Sequence, residues 1–332
     1  MKYLVTSALP YANAPLHLGH VLEIVQTDVW VRQKNLSNEE ALYFCASDTH
    51  GTPIMLKAKE MNVTPEELIK DIHEKHHQTF KNFNVKLANF HSTHSDENKH
   101  LTSEIFRNAI KNKYIHKKEI SQLYDEKEQI FLADRFVKGS CPACGAEDQY
   151  GDACEKCGST YDALELKNPI SVLSNTAPVV KESEHYFFKL NEFNAFLKEN
   201  VQKISNQTPI KAKLDEWLNE DLRDWDVSRD EPYFGFNVPG EHSKYIYVWM
   251  DAPVGYLSSI QNWANQNDIE YADLMNEDNV KLVHFIGKDI VYFHLLFWPA
   301  MLKTYGINNL DEVFVHGFLT ICLLYTSDAA DD

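Results

Sequence analysis

Four residues near the amino terminus, His17-Leu18-Gly19-His20, set two imidazoles around a glycine. They follow the apolar run at 3–9 and Pro10, just where a helix should begin. The first N–H groups of a helix have no partner within it, and the helix dipole is positive there. A helix start beside a glycine is therefore an anion site, and imidazoles placed there can donate to phosphate oxygens. The same four residues also read as an ordinary first turn with no ligand.

A second constellation is Cys141, Cys144, Cys154 and Cys157, spaced C-x2-C-x9-C-x2-C. Each pair puts two thiolates on one tight turn, with Gly145 and Gly158 supplying permissive backbone just after it. Four thiolates suit tetrahedral Zn2+, and a closed four-cysteine set is structural rather than catalytic. Two disulfides are the alternative, disfavoured in a reducing compartment. The expectation is one structural Zn2+ in a knuckle at about 138–160, holding a core-poor segment together. Nothing in the spacing requires it to lie near the chemistry. Cys45, inside an apolar run, reads as packing.

The elements that must position these groups alternate in type. Residues 3–9 read as a strand and 18–34 as a helix, with Leu18, Val21, Leu22, Val25 and Val29 on one face at helical spacing. ALYFCAS reads as a second strand ending at Asp48. The run at 64–80 reads as a helix whose N-cap is Thr64, with Glu67 completing a capping box. Such βαβ patterning predicts a parallel sheet, which takes ligands outside the carboxyl ends of its strands. His17, His20 and Asp48 all fall just after strand ends. From 115 to 229 the pattern changes to short strand-like runs, the cysteine pairs and a polar helix at 191–205, as an inserted module would. Strands resume at KYIYVWM, KLVHFIG and EVFVHG, around the apolar helix IVYFHLLFWPAML.

Composition bounds the rest. The chain has 332 residues, 44% hydrophobic and 24% charged, as a globular protein with ample core has. Net charge is −17, from 32 basic and 49 acidic residues, which argues against a general nucleic-acid binder. One basic run, 107–118, could touch phosphates or be a solvated helix face. The amino terminus does not read as a signal peptide and no apolar run spans a bilayer, so a cytoplasmic protein with no membrane partner is expected.

The stretches ALPYANAPLHLGH, DTHGTPIMLKA, VWMDAPVGY and FIGKDIVYFHLLFWPAML, in that order, resemble the methionyl-tRNA synthetase family of class I aminoacyl-tRNA synthetases. The resemblance runs from residue 3 to about 321 and covers the cysteine spacing and LRDWDVSRD. It implies an α/β fold: a Rossmann-like parallel catalytic sheet in two halves, 1–114 and 230–321, around a connective insertion, 115–229, with the zinc knuckle. It also implies a methionine–tRNA ligase: ATP, with Mg2+, activates L-methionine to methionyl-adenylate, and the methionyl group passes to tRNA(Met). Neither step needs a protein nucleophile; positioning and charge stabilisation on the phosphates suffice.

Residue roles follow by the same resemblance. His17, Gly19, His20, Gly287 and Asp289 hold ATP, His17 and His20 as the catalytic pair and Asp289 at the ribose. Asp48 receives the substrate ammonium, with Arg229 as its ion-pair partner. Ala8, Leu9, Tyr11, Trp249, Pro253, Tyr256, His294 and Trp298 form the side-chain pocket. A polarizable thioether packs well on aromatic rings, and Tyr256 and His294 could each offer a polar hydrogen to the sulfur. On their own residues, Asp289 also reads as a helix N-cap, Arg229 as a surface salt bridge, and VYFHLLFW as plain core.

Beyond VFVHGFLTI the chain departs from the family. The segment CLLYTSDAADD at 322–332 does not align, and its natural back-translation resembles a transposase sequencing adapter read in frame, so it is expected to be a non-native tail. The family's Lys-Met-Ser-Lys-Ser loop and helical anticodon-binding domain are not in this sequence. The expectation is a chain that forms adenylate slowly and binds tRNA weakly. With no C-terminal dimerisation module visible, no oligomer is expected. The competing expectation is a non-catalytic zinc-knuckle fragment that binds nucleotide or a tRNA acceptor end.

Overall fold

The computed structural model describes residues 1–319 other than 206, 278, 308 and 309 and, for residue 202, the backbone alone. The first part alternates as its periodicity demands: β1 (Lys2–Ser7), α1 (Leu18–Leu36), β2 (Glu40–Ser47), α2 (Thr52–Met61), α3 (Pro65–Asn82), β3 (Asn89–Ser92) and α4 (Asp96–Lys111). Next come β4 (Ile115–Asp125), β5 (Ile130–Phe131), β6 (Val137–Ser140), β7 (Gln149–Tyr150), β8 (Lys167–Ser171), β9 (Val179–Phe188), α5 (Asn194–Ile204), α6 (Thr208–Leu218) and β10 (Trp225–Asp226). The last part holds β11 (Ser228–Asp230), β12 (Lys244–Ile246), α7 (Val248–Asp251), α8 (Val254–Gln266), α9 (Tyr271–Asn276), β13 (Val280–Gly287), α10 (Trp298–Tyr305) and β14 (Leu310–His316).

Five strands form one all-parallel sheet in the order β14-β13-β1-β2-β3. Side chains alternate across it. Leu4 and Phe44 enter the core on one face with Phe106, Phe188 and Trp298, while Tyr3, Val5, Tyr43 and Cys45 pack on the other with Ile24, Val31 and Phe80. Both faces are covered, so β1 is apolar on both sides. The chain enters at β1 and winds one way to β2 and β3, then the other way to β13 and β14. The crevice at this reversal, beyond the carboxyl ends of β1 and β13, is where such sheets bind ligands. The loops leaving β1, β2, β13 and β14 all open there.

The Thr64 cap forms with its reciprocal bonds: Glu67 N–H donates to Thr64 Oγ1 at 3.2 Å and Thr64 N–H to Glu67 Oε2 at 2.9 Å. The apolar stripe expected to bury α1 does not. Leu18 and Val29 are each 60% exposed, whereas Glu23, Ile24, Thr27, Asp28 and Val31 face inward. Periodicity counts apolar side chains and misses polar ones that enter with partners. Here Glu23 meets His316 at 2.9 Å and Asp28 meets Arg32 at 2.6 Å. IVYFHLLFWPAML is likewise not one α-helix. Lys288–Ile290 is a 3-10 turn, Phe293–Phe297 a π turn, and α10 starts at Trp298. Pro299 has no N–H for the carbonyl four residues earlier, so the ladder changes register just before it.

The stretch from β4 to β10 builds antiparallel sheets. One has the order β10-β9-β4-β5, with β4 and β9 paired from Ile115↔Phe188 to Tyr124↔Val179; the other has the order β7-β6-β8. α8 closes on the central sheet at Gly255, where a Cβ would lie 2.5 Å from Leu9 Cδ1 and 2.8 Å from Thr93 Cγ2. Any other residue would have to displace both side chains, so glycine keeps the approach close. Among the described residues no helix is long and apolar enough to cross a membrane. The tail expected at 322–332 lies outside the described residues, apart from which 320 and 321 are also not described.

Candidate active site

A cleft of about 560 Å3 opens at the carboxyl edge of the parallel sheet. It brings together Ala8, Leu9, Tyr11, Gly19, His20, Asp48, Arg229, Trp249, Pro253, Tyr256, Gly287, Asp289, His294 and Trp298, which lie on five separate stretches of chain. Of the non-metal residues singled out in the sequence, only His17 is not on its wall.

His17 is instead the N-cap of α1. Gly19 N–H donates to His17 Nδ1 at 3.0 Å and His17 N–H to His20 Nδ1 at 3.3 Å, a capping box built from two imidazoles. Their rings stack with centroids 3.8 Å apart. A ring nitrogen that accepts a backbone N–H carries no proton, so in each neutral ring the proton sits on Nε2. Burial, with His17 and His76 nearby, holds His20 neutral, its pKa pulled down to about 3. His17 Nε2 is buried without a partner. Both rings therefore keep one N–H donor at the start of a 19-residue helix, as the anion-site reading requires.

Across the sheet reversal, the backbone at Gly287 clears room for a carboxylate: a Cβ there would sit 2.4 Å from Asp289 Oδ1. Asp289 lies exposed in the turn after β13 and lines the cleft. Glu23 and His316, neither singled out in the sequence, form the ion pair beneath it. Burial pushes the Glu23 carboxyl up and His316 opposes this, while the bond to Glu23 leaves His316 above its ordinary value despite its own burial.

Asp48 sits at the carboxyl end of β2, bridged to the loop after β1: Ala12 N–H donates to its carbonyl at 2.7 Å and its own N–H donates to Pro10 O at 2.9 Å. Its Oδ1 is buried with no hydrogen-bond partner. Burial and then the charge of Asp251 push its pKa well above the ordinary carboxylate range, against the opposing N–H groups of Thr49 and His50. Asp251 is itself fully buried and bonded to His50 Nδ1, whose Nε2 meets His94 Nδ1 at 3.0 Å. A buried carboxylate oxygen without a donor, on a residue that lines a cleft, is a place for a cation. Arg229 lies on the same wall; its ion-pair partner is Asp226, at 3.3 Å, and its guanidinium stacks 3.6 Å from the Tyr247 ring centre.

The aromatic end of the cleft is polar in detail. His294 Nδ1 lies 3.0 Å from Ile290 O, and a carbonyl only accepts, so the proton is on Nδ1. Burial pulls the pKa of His294 down to about 4, so Nε2 is an acceptor, and Tyr256 Oη donates to it at 2.7 Å. Trp298 Nε1 donates likewise to His284 Nε2 at 3.0 Å. The hydrogens of Tyr256 and His294 are thus both engaged within the protein. What this end offers a thioether is ring surface, not the donors expected from the sequence. Tyr256→Phe should leave His294 Nε2 buried without a donor and cost about 1–3 kcal/mol. A lower urea midpoint at unchanged slope is the expected reading; an unchanged midpoint would contradict the assigned tautomer.

The insertion also reaches the cleft. Asp134, Arg135 and Asp152 line it, tied by Arg135 Nη2–Asp152 Oδ2 at 3.1 Å and by Gly151 N–H donating to Asp134 O at 3.0 Å. Asp152 is two residues before Cys154. The four cysteines do not line the cleft themselves, but the module that carries them reaches it through Asp134, Arg135 and Asp152. Their Sγ atoms all lie within 4.8 Å of one another, with Cys141–Cys157 at 3.9 Å and Cys144–Cys154 at 3.6 Å. Four sulfurs about 2.3 Å from one Zn2+ stand about 3.8 Å apart, so the residues fit that ion. Gly145 at φ +74° and Gly158 at φ +73° make the two turns, and Gly145 N–H and Gly158 N–H donate to Cys141 O and Cys154 O. No sequence signal placed this module beside the sheet edge, because contact between segments a hundred residues apart leaves no periodicity.

Residues 3–324 match the sequence model of a family described as tRNA synthetases class I (M). The fold is similar to a crystal structure of Mycobacterium tuberculosis methionyl-tRNA synthetase bound by methionyl-adenylate, at TM-score 0.73 and 23% identity over 96% of this chain. A second structure of that Mycobacterium tuberculosis enzyme, in complex with methionyl-adenylate, gives TM-score 0.71 at 23% identity and the same coverage. The present chain spans 57% of the length of each.

Proposed function

Because this chain belongs to the class I (M) tRNA synthetases, we propose that its cleft activates L-methionine with ATP and serves transfer of the methionyl group to tRNA(Met). The observation that carries the reading is Asp48. Asp48, with one carboxylate oxygen buried and unpartnered, lines the same cleft as the aromatic residues and as Gly19 and His20 at the start of α1. An α-amino acid with an apolar side chain and a nucleotide phosphate fit these features together.

In this reading Asp48 takes the substrate ammonium, Arg229 the opposite side of the amino-acid head, and Trp249, Tyr256, His294 and Trp298 the thioether, with Ala8, Leu9, Tyr11 and Pro253 completing the pocket. His17, Gly19 and His20 meet the phosphates, and Gly287 and Asp289 the ribose. A methionine carboxylate oxygen bonds to the α-phosphorus, the α–β phosphoanhydride bond breaks, and pyrophosphate leaves. The terminal hydroxyl of tRNA then attacks the acyl carbon, its proton is lost, and AMP departs. His17 and His20 donate to oxygens that gain charge in the first step. Mg2+ bound with ATP supplies further charge neutralisation. Cys141, Cys144, Cys154 and Cys157 would hold one Zn2+ as a structural clip. We read 1–114 and 230–321 as halves of the catalytic unit, 115–229 as the connective module, and the cytoplasm as the place of work.

Calorimetric titration tests the reading. One molecule of L-methionine per chain should bind in clear preference to L-leucine, and methionyl-adenylate should form when ATP is added. Equal binding of the two amino acids would overturn the assignment of the side-chain pocket.

A further inference from the structure

Arg229 lines the cleft and stacks on Tyr247 there, but the carboxylate that pairs with it is not on the lining. Its Nη1 is 3.3 Å from Asp226 Oδ2 and donates to Ser228 O at 2.6 Å. The same Asp226 oxygen is 2.7 Å from His185 Nδ1, and the other ring nitrogen of His185, Nε2, is 2.9 Å from Asp230 Oδ2. His185 is fully buried on β9 and does not line the cleft.

A neutral imidazole has one N–H and one lone pair. Between two carboxylates, either tautomer would aim a lone pair at an anionic oxygen. Only the imidazolium, with two N–H donors, satisfies both contacts, and only a donor at Nδ1 leaves the Asp226 oxygen drawn equally towards the ring and the guanidinium. Lys244 Nζ also contacts Asp230, and Ser183 Oγ donates to Asp230 Oδ2 at 2.8 Å, so that second carboxylate is itself anchored. The charges facing His185 are thus Asp226, Asp230 and Lys244, with Lys118 opposite it in the β4–β9 register. Burial pulls the ring towards neutrality, but its bonds to Asp226 and Asp230 outweigh this and raise its pKa above the ordinary value.

We propose that His185 is a positioning residue for amino-acid binding: as an imidazolium bridging Asp226 and Asp230, it fixes the carboxylate that holds Arg229 in the cleft. The proposal rests on the reading of the cleft as an amino-acid site and extends it outside the cleft wall, onto the insertion. A Gln at this position offers an amide NH2 in one direction but a carbonyl oxygen, which only accepts, in the other, so it cannot replace two opposed N–H donors.

The test has two arms. In the first, wild-type protein labelled with 15N-histidine is observed by NMR at pH 7.5. Both ring nitrogens of His185 should carry protons there; a ring with one bare nitrogen overturns the proposal without any variant. In the second, L-methionine and ATP affinities are measured for wild type, His185→Gln, Arg229→Gln and the double variant. His185→Gln should weaken L-methionine about tenfold, within the range for neighbours in one hydrogen-bonded network, and leave ATP affinity unchanged. It should add no loss to Arg229→Gln. Wild-type affinity in His185→Gln, equal loss for both ligands, or full additivity with Arg229→Gln overturns the proposal. A wild-type chain that binds no amino acid overturns instead the reading on which it stands.

Discussion

Asp48→Asn should weaken L-methionine binding by a factor of about 30 to a few thousand, the range for removing one partner of a buried charge pair. The same substitution should make the ligand-free protein more stable near neutral pH. Both effects follow from one fact. Burial and the neighbouring Asp251 raise the Asp48 pKa well above its ordinary value, so the folded, empty protein disfavours the carboxylate. For an acid whose folded pKa is raised, the stabilising contribution is present below the unfolded pKa and lost as pH rises through the folded one. At neutral pH the burial of Asp48 therefore opposes folding, and an uncharged Asn relieves it. An ammonium in the cleft reverses the balance by pairing with Oδ1, which has no partner in the protein. In the wild type, methionine affinity should fall on acidification as Asp48 gains its proton, at higher pH than an ordinary carboxylate would. Chemical unfolding and titration of the two proteins at pH 7.5 check both signs; a variant that loses stability together with affinity would make Asp48 a structural residue.

Removing Zn2+ should have an even larger, but local, effect. Zinc binding to such a cysteine set is worth about 10–16 kcal/mol in small knuckles that fold only with metal. The buried apolar cluster here, Leu123, Leu132, Phe136, Val137 and Leu166, sits at the base of the module, outside the turns that carry the cysteines. Between 141 and 158 the thiols themselves supply most of the interior: Cys141 and Cys154 are buried to 1% exposure or less. With a chelator, or in Cys154→Ser, amide exchange protection should vanish from about 137 to 171 while β1, β2 and β13 keep theirs. Because Asp134 and Asp152 form part of the cleft, ATP and L-methionine should also bind more weakly. Metal analysis should give one zinc per chain. A knuckle that keeps its protection after complete zinc removal would contradict the account.

The face that carries the cleft was legible wherever local chemistry speaks. The Thr64–Glu67 cap needs particular residue types at a fixed spacing, and the first two strands were read to within one or two residues of their ends at Ser7 and Ser47. The aromatic pocket came only with the family resemblance, because Trp249, Tyr256 and Trp298 are as apolar as any core residue until the fold opens a cleft between them. Two readings failed for the same reason. The inward face of α1 carries Glu23, Thr27 and Asp28, and the hydrogens of Tyr256 and His294 are taken up by protein acceptors. Partnering between residues far apart in sequence sets the polarity of both places, and no local pattern encodes it. Glu23 with His316, and Arg135 with Asp152, went unnoticed on the same account.

The most direct test of the central claim, that one cleft takes methionine and nucleotide together, is titration with methionyl-sulfamoyl-adenosine, a stable mimic of the adenylate. Joining two occupied subsites should make it at least about a hundredfold tighter than L-methionine or adenosine alone. The account predicts that gain, its loss in Asp48→Asn, and weaker binding of the leucyl counterpart. Affinity no better than that of adenosine would contradict it, and would leave the cleft as a nucleotide site alone.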